Sequence, residues 1–143
     1  MDTMFEKESV RHYISLLQEN INRMATNCTS CKTWLITIVS ALCALLLAND
    51  NIKGYLWIAL IPTALFLVLD AYYLGQEKRF RDIEAEFVEK IKSGEDALTE
   101  LYNFRKSEEH TCKFFWRGFF SPSTWVMYAT IAAIIILIIF VLK

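Results

Sequence analysis

One carboxylate stands where the chain is otherwise free of charge. Asp70 lies near the end of the run from Gly54 to Leu74, GYLWIALIPTALFLVLDAYYL, and it is the only charged residue in that run. An ionisable side chain inside an apolar span is expensive, so it faces a partner helix or a watery cavity and pairs where it can. Two chemistries suit it. It can lock to a cation, with Lys32 and Arg23 as candidates, or it can contribute one carboxylate to a ring lining a cation path, which needs an oligomer. Glu77 follows Asp70 by seven residues and shares its helical face, and Arg81 follows Glu77 by four. The result is a charge-paired stripe that begins inside the apolar run.

Other residues have the types for chemistry but weaker spacing. Cys28-x-x-Cys31 and His110-x-Cys112 are ligand types for zinc. The second pair is too closely spaced for a finger, and reduced thiols are the simpler account, so neither metal nor cofactor is expected. Asn27-Cys28-Thr29 matches a glycosylation sequon, which is silent on the cytosolic side. Arg105 and His110 have the Arg-x4-His spacing of HEPN ribonucleases, where cation and imidazole act on a phosphodiester. In a charged helix, a salt-bridging Arg105 and a solvated His110 are the simpler reading. No glycine-rich phosphate loop or nucleophile motif is visible, so no catalytic residue is assigned. A net charge of −1 speaks against direct nucleic-acid binding.

The elements that must position these residues are helical. The hydrophobic fraction is 55%, mean hydropathy is +0.30, and 143 residues contain only four Gly and two Pro. Three apolar runs leave little for a soluble core, and the expected fold is an all-α polytopic membrane protein with three transmembrane helices. Residues 1–32 should hold an amphipathic cytosolic helix over 4–26, with Val10, Tyr13, Ile14, Leu17, Ile21 and Met24 as its apolar stripe. The NCTSC segment, 27–31, reads as a break, because Thr29 or Ser30 could cap the next helix. The first span, 33–48, is short and carries the small residues Ser40, Ala41, Cys43, Ala44 and Ala48. The six-residue turn 49–54 makes it an antiparallel hairpin with span 54–74. That hairpin brings Arg23, Asn27 and Lys32 level with Asp70, Tyr73 and Glu77.

The second span should run on without a break through Gly75, forming the first arm of a cytosolic helical hairpin over 75–111. Phe80, Ile83, Phe87 and Ile91 on this arm would oppose Leu98, Leu101 and Tyr102 on the return. Residues 112–121 hold an aromatic belt with two cations: Phe114, Phe115, Trp116, Phe119 and Phe120 with Lys113 and Arg117. This composition belongs at headgroup level. Ser121-Pro122 supplies a cap and an N1 proline for the third span, within 122–143. Lys53 and Lys143 alone among the 15 Lys and Arg fall on the far side, so the N-terminus and the 75–121 segment should be cytosolic and the C-terminus periplasmic.

Two stretches carry a family resemblance: Arg23-Met-Ala-x-Asn27-x-x-x-Cys31-Lys-x-Trp34 and Leu69-Asp-Ala-Tyr-Tyr-Leu74-x-x-Glu77-x-x-Phe80-Arg81. With the long second helix and the Phe-rich Ser-Pro segment, they make residues 10 to 125 resemble the RipA-like family of octameric bacterial membrane proteins. In size and Arg-x4-His content the chain is also similar to the octameric membrane-pore accessory protein of type VI-B CRISPR systems. The resemblance implies a homo-octamer in the bacterial cytoplasmic (inner) membrane with a cytosolic helical crown, and Asn27, Tyr73 and Trp34 as interface or support residues. It implies no reaction. The expected function is a ring-forming pore or channel-like assembly in the lipid bilayer, serving antiphage defence or envelope homeostasis. The alternative is a non-conducting scaffold presenting its crown to a cytosolic protein partner, and a third reading is a HEPN-like ribonuclease using Arg105 and His110.

Overall fold

A computed structural model describes residues 2–48, 52–93 and 111–141. These form four α-helices and one 3-10 helix, with no strand among the described residues: α1 (Asp2–Leu47), the 3-10 helix (Lys53–Ala59), α2 (Leu60–Ser93), α3 (Thr111–Phe119) and α4 (Pro122–Val141). Three stretches, Lys7–Leu47, Gly54–Ser93 and Pro122–Val141, are long and apolar enough to cross a membrane.

The expected break at NCTSC is absent. α1 runs unbroken for 46 residues, which is about 69 Å at 1.5 Å per residue. One of the two hydroxyls that could have capped a new helix is used within the old one, Thr29 donating to the Ala25 carbonyl at 3.2 Å, and Thr33 does the same to the Thr29 carbonyl at 3.0 Å. Cys28 and Cys31 are buried. Tertiary packing therefore overrides the poor helix propensity of this segment.

The second apolar run is not α-helical from its start. Pro62 has no N–H to return to the Ile58 carbonyl, and the turns before it wind as a 3-10 helix. From Leu60 the chain is α-helical without a break through Gly75 to Ser93, as its composition predicts.

α2 is shared by two apolar clusters. On one side Leu35 and Val39 of α1, Ala59, and Tyr128 and Ile135 of α4 are buried together, with Phe66, Leu67 and Ile131 packed around them. The other cluster lies beyond Gly75, where Phe87 is buried with Tyr13 and Leu17, flanked by Val10, Ile14, Phe80 and Ile83. The Tyr13 and Phe87 rings meet edge to face, 4.7 Å between centroids. The apolar stripe of the N-terminal half is thus the stripe the periodicity picks out, and it packs on α2. It covers the face that the sequence sets against Leu98, Leu101 and Tyr102, which lie outside the described residues, as do Arg105 and His110.

Candidate functional site: a buried ion pair beside a close helix crossing

Between the two clusters lies a layer of small and polar residues. Asp70 has 0% exposure, yet neither carboxylate oxygen has a hydrogen-bond partner among the described residues. The nearest charge is Lys32 of α1, whose Nζ stands 3.6 Å from Oδ2. That is an ion-pair distance, longer than a charge-assisted hydrogen bond. Lys32 keeps 26% of its side chain exposed, so the ammonium lies at the rim of the pocket and the carboxylate at its floor. Of the two candidate cations it is Lys32 that reaches Asp70. Arg23, nine residues before Lys32 on α1, is exposed and donates to Asn20 Oδ1 at 2.9 Å. The Cys28 thiol is 3.9 Å from the Asp70 backbone carbonyl. Cys28 and Cys31 line the seam with α2, whereas Cys112 is exposed on α3.

The rest of the predicted charge stripe continues outward. Arg81 and Glu77 pair at 2.8 Å on the same face of α2, one turn apart. Tyr73 and Asn27 are half-buried, and the Tyr73 ring meets that of Tyr72 at 5.6 Å. Trp34 is exposed.

Next to Asp70, α3 folds back onto α2 with the two backbones in contact. A Cβ on Gly75 would fall 2.6 Å from the Phe114 carbonyl oxygen, and one on Gly118 would collide with the Ala71 carbonyl oxygen. Gly75, Ala71 and Gly118 are all buried. Small residues facing one another let two helix backbones touch. Polar contacts then hold α3 in place. Lys78 donates to the Arg117 carbonyl at 2.9 Å, placing a cation at the end of α3 where the helix dipole is negative, and Arg117 pairs with Asp82. At the corner into α4 the Thr124 hydroxyl donates to the Gly118 carbonyl at 3.3 Å. One turn further, the Tyr128 hydroxyl donates to the Phe66 carbonyl at 3.0 Å.

The belt residues are divided by this arrangement. Phe114, Phe115 and Phe119 are half-buried, whereas Trp116 and Phe120 are exposed. The belt is a helix, because nine residues without Pro fold back on α2 at its one glycine.

A second feature is the outer face of α1. From Thr26 to Ala44 every residue in an arc of about 120° is small: Thr26, Thr29, Ser30, Thr33, Thr37, Ser40, Ala41 and Ala44, all exposed. The threonine hydroxyls donate to carbonyls four residues back, at 2.8 Å for Thr26 and 2.9 Å for Thr37. α4 exposes bulk instead, with Val126, Ile134, Leu137 and Phe140 outward. Sequence reading found only the membrane end of this face and missed the roles of Gly75 and Gly118. The signal was there as paired glycines in two apolar helices, but pairing them requires knowing that α3 folds back.

No family model, curated protein or solved structure matches the chain.

Proposed function

We propose that the chain forms a homo-oligomeric ring in the bacterial cytoplasmic membrane, octameric as the family resemblance implies, and that the ring is a pore or channel-like assembly. The observation that supports this is the outer face of α1. A strip of Ser, Thr and Ala, spanning 19 residues and about 27 Å, is left uncovered by its own chain, while α4 shows large aliphatic groups. In a bilayer such a face suits another helix or water better than acyl chains. Turned toward a ring axis, it offers uncharged hydroxyl oxygens. Asp70 does not line the path in this reading. It holds Lys32 inside the protomer and keeps α1 and α2 in register.

The enclosed carboxylate also favours a second reading. With Asp70 paired internally, the α1 face between Thr26 and Ala44 carries no charge. The ring would then be a non-conducting scaffold, with this face packed between copies and the extension of α2 beyond Gly75 presented to a cytosolic protein. Antiphage defence and envelope homeostasis are the settings proposed for either assembly.

Thiol labelling separates the two. In a Cys112→Ser background the remaining native cysteines are buried or half-buried. Thr37→Cys in liposomes should react with a membrane-impermeant maleimide, and the reaction should reduce ion flux. Inert thiols that cross-link between copies, with no flux, would support the scaffold.

A further inference from the structure

The outward face of α3 repeats a pattern that neither the ion pair nor the ring uses. Lys113, Trp116, Arg117 and Phe120 recur at i, i+3, i+4 and i+7, and all four are exposed, Trp116 by 49% and Phe120 by 66%. Phe120 prolongs the helix, since its N–H bonds to the Trp116 carbonyl at 2.9 Å. The Trp116 and Phe120 rings stack with centroids 5.5 Å apart and planes at 19°. Arg117 lies over the Phe114 ring, 5.5 Å from its centroid. The opposite face is already committed, because Gly118 touches Ala71.

Charge on this face is unbalanced. Arg117 meets Asp82, but Lys113 has no ion-pair partner among the described residues, and Lys78 directs its ammonium to a carbonyl, not a carboxylate. Among the described residues, Asp82 is thus the one carboxylate paired with any of the three cations Lys78, Lys113 and Arg117. Along α3 the two kinds alternate: each ring follows a cation by three residues, Trp116 after Lys113 and Phe120 after Arg117, and α4 begins at Pro122 immediately after them. Cation first and aromatic plane second is the order in which a phospholipid presents its phosphate and its glycerol with the first acyl carbons.

We propose that this face is a binding site for an anionic glycerophospholipid, with the phosphate against Lys113 and Arg117 and the glycerol backbone on the Trp116–Phe120 pair. A soluble phosphate has no use for the stacked rings. A zwitterionic lipid would bring its own cation against Lys113 and Lys78. The site requires α4 to enter the bilayer at Pro122 but does not depend on the ring.

The test uses the full chain in neutral detergent, with added phosphatidylglycerol, phosphatidylcholine or soluble glycerol 3-phosphate, read by thermal midpoint and by lipid retained in native mass spectrometry. Phosphatidylglycerol alone should raise the midpoint and remain bound. Lys113→Gln removes an exposed side chain with no ion-pair partner among the described residues, so it should leave folding intact, and it should weaken phosphatidylglycerol binding about fivefold. Trp116→Ala should weaken it as well. Equal responses to phosphatidylglycerol and phosphatidylcholine would overturn the proposal, as would an equal response to glycerol 3-phosphate. So would undiminished phosphatidylglycerol binding by Lys113→Gln.

Discussion

Lys32 and Asp70 face each other at 3.6 Å across the seam between α1 and α2, one partly exposed and the other fully enclosed. The asymmetry has a consequence for mutants. Lys32→Met leaves a fully buried carboxylate without its cation, the case in which breaking a buried pair costs on the order of 3–5 kcal/mol. Asp70→Asn leaves an ammonium that can extend to water along its own stem, so it should cost less. The double variant Lys32→Met/Asp70→Asn should recover part of the loss, since no orphan charge remains. Thermal midpoints of the four proteins in detergent test this. Additive losses in the double variant, with no recovery, would show that Lys32 is not the partner.

The crossing of α3 on α2 should not tolerate a methyl group. Gly118→Ala and Gly75→Ala force backbone against backbone and should cost about 1–3 kcal/mol each, more if α3 detaches. Gly54→Ala, with nothing within 4 Å of its Cβ, is the control and should be neutral or slightly stabilising. Midpoint shifts of similar size at all three positions would contradict the crossing.

These two sites mark where sequence reading succeeded and where it stopped. Asp70 was legible because a charge in an apolar run has few options, and the short 49–54 turn forces Lys32 to its level. The α1 stripe through Tyr13 and Leu17 and the uninterrupted α2 were legible from periodicity. Two things were not legible from local rules. Thr29 and Ser30 have the chemistry of caps, and only the burial of Cys28 and Cys31 against α2 makes a continuous helix the better solution. Gly75 looks like a tolerated weakness until Phe114 is seen lying on it.

The N-terminal half of α1 should be anchored by the Tyr13–Phe87 contact. Phe87→Ala empties a buried aromatic site and should cost about 3–5 kcal/mol. Its main effect should be local, with backbone amides of residues 7–20 losing protection in hydrogen exchange while those of α4 keep theirs. Unchanged protection over 7–20 would mean that this segment is held by something other than α2.

Orientation should follow the cations. A periplasm-active reporter fused beyond α4 should be active, and a cytosol-active one in the same place should be silent. The reverse pattern would require either a different number of spans or an inverted chain.

Assembly of this chain into a ring with the small-residue face of α1 toward its axis is tested most directly by the mass of the purified protein in detergent, with bound detergent subtracted, together with ion flux in liposomes, for the native chain and for Thr37→Trp. The native chain should exceed four times its 16.7 kDa protomer, and Thr37→Trp, which puts an indole into the path, should keep that mass and lose the flux. A native mass of one or two chains, or undiminished flux through Thr37→Trp, would contradict it.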